Sequence, residues 1–224
     1  MKKILSHLTT DWYKYLLELI VITAGVLGAF ALNSWNENVQ NRKKEVLLLK
    51  EINGEFKANY EQFEEVTQAH QQALQATEYF LNNFFTNPNQ DSIAEYLMTT
   101  GRHWTFNPSQ STITSLVSNS SIEIISNEVL RRELIQWSDR VLDYQEEEVK
   151  AKKYVHEILT PWIIDHSSIL TREVLELSDR EEIKFENILL MRARMLEEIL
   201  GSDEKEGETL VESMKIIIDL TTTD

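Results

Sequence analysis

Residues 16–32 read LLELIVITAGVLGAFAL, seventeen residues in which Glu18 is the only charge. At a rise of about 1.5 Å per residue, a helix over this run covers roughly 25 Å, at the short end for the hydrocarbon layer of a membrane. Its flanks lengthen it. Trp12, Tyr13 and Tyr15 precede the run and Trp35 follows it, and such amphipathic rings favour the two membrane–water interfaces. Counted from Tyr13 to Trp35, the helix spans on the order of 33 Å. Glu18 then falls near the first interface, where its carboxylate reaches headgroup water or faces a neighbouring helix. The expectation is a retained membrane-spanning helix over residues 15–35, preceded by a short segment 1–14 and followed by an extramembrane domain 36–224. A buried core helix leaves the aromatics and the basic clusters at both ends unexplained. A cleaved secretory leader competes more strongly, since Ala29-Phe30-Ala31 is a small-residue processing pattern behind an apolar run with upstream lysines. The long polar N-region, Glu18 and Trp35 count against it.

Charge divides the chain in the same place. The formal net charge is −15, from 22 Lys+Arg against 37 Asp+Glu. Residues 1–44 hold Lys2, Lys3, Lys14, Arg42, Lys43 and Lys44 against Asp11, Glu18 and Glu37, a net of +3, which leaves −18 for the remainder. An acidic body excludes generic nucleic-acid binding, because phosphate contacts need a basic face. The basic clusters flank the span, so membrane lipid is the first expected partner. Their counts on the two sides nearly tie, but Lys14 stands closest to the span; the N-terminus is expected inside and the body outside the cytoplasm. Within the span Ala24 with Gly28, and Gly25 with Ala29, stand four apart. That spacing lays a smooth stripe along one face and lets two backbones approach, an expected interface for a homo-oligomer or a protein partner. Small residues are also common in membrane helices generally, which explains the same stripe without an interface.

Only 6 Gly and 3 Pro occur in the chain, which favours helices over a turn-rich sheet protein. From Glu37 to about Phe85 there is no proline, and apolar residues recur at Leu49, Ile52, Phe56, Tyr60, Phe63, Val66, Ala69, Ala73, Leu74, Phe80, Leu81 and Phe84. Steps of three and four give a helical stripe broader than a strict coiled-coil seam. Asn87-Pro88-Asn89 should end that helix. Ser92 and Glu95 have the spacing of a capping box for a short helix closing near Gly101. Asn107-Pro108 reads as a cap and first position of the next, and Asn119-Ser120-Ser121 as its end. Ser126-Asn127 should cap a long helix from Glu128 to about Leu159, with an apolar face of Leu130, Leu134, Trp137, Val141, Tyr144, Ala151, Val155 and Ile158; Pro161 should end or kink it. Helices over about Glu181–Leu200 and Glu208–Leu220 follow, separated by an acidic turn from Gly201 to Gly207. The β-like run Ile122-Glu123-Ile124-Ile125 is too short to nucleate a sheet. The fold class expected is all-α, a transmembrane helix continuing into an antiparallel bundle of long helices.

A resemblance supports this division. Lys14-Tyr15-Leu16-Leu17-Glu18, Val21, Gly25-Val26-Leu27, Ala29 and Asn33-Ser34-Trp35-Asn36-Glu37, together with Ser115-Leu116, Ser118, Ile122, Ile125-Ser126-Asn127 and Leu130, resemble an uncharacterised family of bacterial single-span membrane proteins. The resemblance implies an N-terminal anchor carrying a helical extramembrane domain, and it implies no activity. The chain departs from the family at Gly28-Ala29-Phe30, where larger aliphatics are usual.

Chemistry is sparse. With no cysteine, thiol catalysis, Cys-based zinc sites and iron–sulfur clusters are excluded. Phosphate-loop, dinucleotide and nucleophile-elbow motifs are absent, and no histidine has the partner spacing of a metal helix; no cofactor is expected. His70 reads as a packing histidine on the apolar stripe. His156 and His166 straddle Pro161, where they could approach each other or Asp165. His103, Trp104 and Phe106 form a polar–aromatic linker that either lines a pocket or lids the bundle. Glu146-Glu147-Glu148 and Asp203-Glu204 read as solvated charge runs. Two functional classes remain: a membrane-anchored structural or protein-interaction module, and a sensor or ligand-binding module. The fourteen residues before the span are too few for an output domain, so sensing would need a partner subunit. A catalytic bundle is the outsider.

Overall fold

A computed structural model describes residues 12–83, 90–168, 173–201 and 206–222, with the backbone only at 90–94, 173 and 206–209. The fold is all-α, as expected. Its helices are α1 (Trp12–Asn83), α2 (Gln90–Thr100), α3 (Ser111–Ser118), α4 (Glu128–Tyr154), α5 (Thr160–His166), α6 (Asp179–Ile199) and α7 (Glu206–Thr221). A 3-10 turn (Ile122–Ile124) precedes α4, and a π-helical segment (Val155–Leu159) joins α4 to α5. The chain divides into two compact units, Met1–Leu48 and Leu49–Asp224, and α1 contributes to both.

In the first unit every residue from Trp12 to Lys44 is exposed. Among the described residues α1 is the helix long and apolar enough to cross a membrane by length and composition, and its apolar window contributes nothing to a core.

The second unit closes around α4, which packs against α6 and α7. From Ile52 on, the buried positions of α1 run Ile52, Phe56, Asn59, Phe63, Val66, His70, Ala73, Ala76, Thr77 and Phe80. Apart from Ala76, beside Thr77, the steps alternate between four and three, a narrower seam than the apolar residues alone suggested. The difference is that polar Asn59, His70 and Thr77 occupy seam positions. Aromatic rings fill the space opposite: Phe56 meets Trp137 edge-on at 4.8 Å, and Phe63 lies 5.2 Å from both Phe106 and Tyr144. A second cluster, around Phe80, Leu97, Val155, Leu159 and Phe185, includes Trp162 stacked on Phe185 at 3.9 Å.

Several helix boundaries differ from the sequence reading for identifiable reasons. α2 has begun by Gln90, so Ser92 lies inside it rather than capping it. Asn107-Pro108 starts no helix; α3 begins at Ser111, because Glu55 on α1 supplies its cap. One Glu55 oxygen accepts from the Thr112 N–H (3.1 Å) and from the Ser111 and Thr112 hydroxyls (3.0 and 2.5 Å). Asn127 does cap α4, accepting from the N–H groups of Val129 and Leu130. Pro161 neither stops nor breaks the helical path. A proline lacks the N–H its helix needs, and a wide turn is one way to absorb that loss. Here Thr160 N–H reaches the Val155 carbonyl, five residues back. The slip turns Leu159 inward and leaves Ile158 44 % exposed, reversing the expected face.

The β-like run at Ile122 is the 3-10 turn, and the strand pairing lies elsewhere: Ser167–Ser168 pairs antiparallel with Glu173–Val174. α6 opens on a capping interaction, with the Ser178 N–H and hydroxyl both donating to Glu181 (2.8 and 2.6 Å). Gly201 ends the helix with φ +75, a left-handed turn that glycine adopts without strain. Asn87-Pro88-Asn89 and Asp203-Glu204 lie outside the described residues.

Candidate functional site

Residues 101–110, between α2 and α3, have no regular structure, yet Phe106 within them is fully buried. A loop that enters a core must still have its backbone polar groups satisfied. Side chains from three helices do this. From α4, Glu148 accepts the Phe106 N–H with both oxygens (3.1 and 2.8 Å), and Gln145 donates to the Phe106 carbonyl (2.6 Å). From α1, the Asn59 amide pairs with both backbone groups of Ser109, at 2.9 and 2.8 Å. From α6, Arg192 donates to the carbonyls of Thr100 (3.3 Å) and Arg102 (2.7 Å).

These side chains are buried, and burial sets their charge. Glu148 is 1 % exposed. Loss of water around its carboxylate raises its pKa to about 7, against the opposing pull of the Phe106 N–H. His70 approaches it, Nε2 to carboxylate 4.0 Å, and burial lowers the His70 pKa to about 4. At neutral pH His70 is therefore uncharged, and Glu148 is about half protonated. Burial also lowers Arg192 to about 10, which leaves it cationic at neutral pH. Its Nη1 has no hydrogen-bond partner, and among the described residues no carboxylate pairs with it.

Beside this stapled loop lies a half-open cleft of about 550 Å³. Its walls are Leu97 and Met98 of α2, Gly101, Arg102, His103 and Trp104 of the loop, and Thr160, Ile163 and Ile164 of α5. The His103 ring stands edge-on to His156, centroids 4.7 Å apart. Burial, joined by the neighbouring charges of His156, Lys152 and Arg192, lowers the His103 pKa.

The sequence-predicted residues are therefore partly assembled. His103 and Trp104 do line a cleft, but Phe106 belongs to the core beneath it. His156 meets His103, whereas His166 stacks on Trp162 (4.5 Å) and points Nε2 at Glu181 (3.4 Å). The proposed approach of His156 to His166 is not what forms. Glu148 is not part of a solvated charge run, although its neighbour Glu146 is exposed. One signal for it was available: Glu148 continues the spacing of Trp137, Val141 and Tyr144 along α4. Arg192 likewise sits on the buried face of α6, between Leu189 and Leu196. No group of three or more His, Asp or Glu poised to hold a metal occurs among the described residues.

Trp12, Tyr13, Tyr15 and Trp35, expected at the membrane interfaces, are all more than half exposed. Glu18, Ala24, Gly25, Gly28 and Ala29 are exposed too, and a Cβ built on Gly25 or Gly28 would meet nothing within 4 Å.

Neither the curated proteins nor the solved structures include one that matches this chain. A family model does match, over residues 18–158. That stretch holds all but the first two residues of the apolar run, with His70, the stapled loop and Glu148; Arg192 and the α5 wall of the cleft fall outside it. The chain belongs to DUF6090, a family of unknown function.

Proposed function

We propose that this chain is a membrane-anchored helical module that works by binding other proteins, a second copy of itself included, and not by catalysis. The observation that carries the reading is the exposure of every residue from Trp12 to Lys44 on α1, a stretch that includes the run 16–32 with its single charge. So long an exposed apolar surface is unfavourable in water and favourable in lipid. Trp12, Tyr13, Tyr15 and Trp35 would sit at the interfaces of a single span in the inner membrane, with the acidic body on the extracytoplasmic side. The stripe of Ala24, Gly25, Gly28 and Ala29, flanked by Glu18, is open for a second helix to approach. Alkaline extraction and reporter fusions at Met1 and Asp224 test the anchor and its orientation; release of the chain by carbonate, or a cytoplasmic C-terminal reporter, would refute them. Replacing Gly25 and Gly28 by Leu should abolish cross-linked oligomers in membranes. Unchanged cross-linking would remove the stripe as an interface.

A second reading, a ligand-binding sensor acting through a partner subunit, is favoured by one specific observation. The cleft beside His103 and Trp104 has a volume within the range of small-molecule sites, about 300–1,000 Å³.

A further inference from the structure

We propose that the cleft between α2, the loop and α5 binds an amphipathic anion, an aryl or short-chain alkyl monocarboxylate; this rests on the ligand-binding reading above. The apolar part of such a ligand is matched by Leu97, Trp104, Ile163 and Ile164, which supply aliphatic and aromatic walls from three separate elements. Such walls, with a few polar groups fixing orientation, are the usual composition of a small-molecule site.

The charge of the ligand follows from the cleft's surroundings. The body carries a net charge of −18, yet among the described residues no carboxylate lines this cleft and the one charged wall residue is Arg102. Arg102 is exposed at the rim, and Arg192 holds its backbone carbonyl, which fixes the point from which its side chain starts. Behind the wall, the cations that act on His103 are Lys152 and Arg192, and the ring beside it is that of His156. Arg192 adds a fixed positive charge that no carboxylate neutralises among the described residues. The result is a local positive field inside an acidic domain, and such a field draws an anion to one end of an apolar slot. Thr160, at the end of the wide turn, lines the cleft from α5, and wide turns of this kind recur at functional sites.

The ligand class is tested by titrating the full chain, in phosphatidylcholine nanodiscs, with 2-naphthoate and with its neutral isostere 2-naphthamide, using empty nanodiscs as the blank. Calorimetry should show saturable one-to-one binding of the carboxylate, at least tenfold tighter than the amide. Arg102→Glu should weaken the carboxylate tenfold or more. Met98→Trp should abolish binding by filling the slot; Met98 is 58 % exposed, so the fold does not depend on it. Equal affinity for carboxylate and amide would overturn the anionic class while leaving the cleft as a binding site. Binding unchanged by Met98→Trp would overturn its location. No saturable binding of either probe would overturn the proposal and the sensor reading together.

Discussion

One helix carries two opposite surfaces. From Trp12 to Lys44, α1 wears its apolar residues outward; from Leu49 on, it hides polar Asn59, His70 and Thr77 inward. Hydropathy averages would rank the first stretch as core and the second as surface, and both rankings fail. In the second unit two of these polar groups are buried with hydrogen-bond partners. Asn59 pairs with the Ser109 backbone and Thr77 donates back to the Ala73 carbonyl at 2.7 Å, while His70 Nε2 stands 4.0 Å from the Glu148 carboxylate. From Trp12 to Lys44 no described element covers the helix, so its apolar side chains stay exposed.

The contrast can be broken most sharply with one substitution made twice. Phe80→Ala should destabilise the body by about 3–5 kcal/mol, as for a fully buried aromatic. Phe30→Ala, at a side chain 67 % exposed, should leave the unfolding midpoint of the body unchanged. Denaturant titration monitored by tryptophan fluorescence reads both, and equal effects would erase the distinction between the two stretches.

The polar half of the comparison is sharpened by pH. Glu148 has a raised folded pKa, so its contribution to stability is complete below the unfolded value near 4.5 and is lost as pH rises through about 7. His70 has a lowered one, so its contribution is complete above about 6.5 and is lost as pH falls towards about 4. Between about pH 4.5 and 6.5 the two slopes, each of order 1.4 kcal/mol per pH unit, oppose one another. Wild-type stability should be nearly flat across that window. Glu148→Gln should make it fall with acidification, and His70→Gln should make it fall as pH rises. Melting temperatures at half-unit pH steps check this; parallel slopes in the two variants would show that the groups do not titrate as described.

A smaller effect is expected where the loop meets α1. Asn59→Ala leaves the Ser109 N–H and carbonyl without their partner and should cost about 1–3 kcal/mol, read as earlier amide exchange at Ser109. Smallest is Asn127→Ala, which removes the cap of α4 and should cost about 1 kcal/mol in chemical denaturation. A larger loss than at Asn59 would mean that capping outweighs the staples.

The long helices were legible because their periodicity and punctuation are local: Asn127 announces α4, and the spacing of Leu130, Leu134 and Trp137 gives its inner face. The start of α3 was not, since its cap is Glu55, more than fifty residues away in sequence. Pro161 misled for a related reason. Its cost is absorbed by the turn before it, which also exchanged Ile158 for Leu159 on the inside. His103 and Trp104 of the cleft could be read as an unusual pair, whereas for Glu148 and Arg192, which hold the loop beside it, the sequence offered only their spacing on the buried faces of α4 and α6. Their side chains look like surface charges until the backbone groups they serve are in place.

The seam of α1 has a consequence for alignment. Aliphatic and aromatic side chains spaced by three and four would tolerate a slide of one heptad, about 10 Å along the axis, with little change in the area they bury. Asn59 would not, because its amide fits the two backbone groups of Ser109 and would leave them behind. A lone polar side chain in such a seam can fix which heptad faces which. Asn59 and His70, eleven residues apart, act as two index marks on the same rod, one read by the loop and the other by α4.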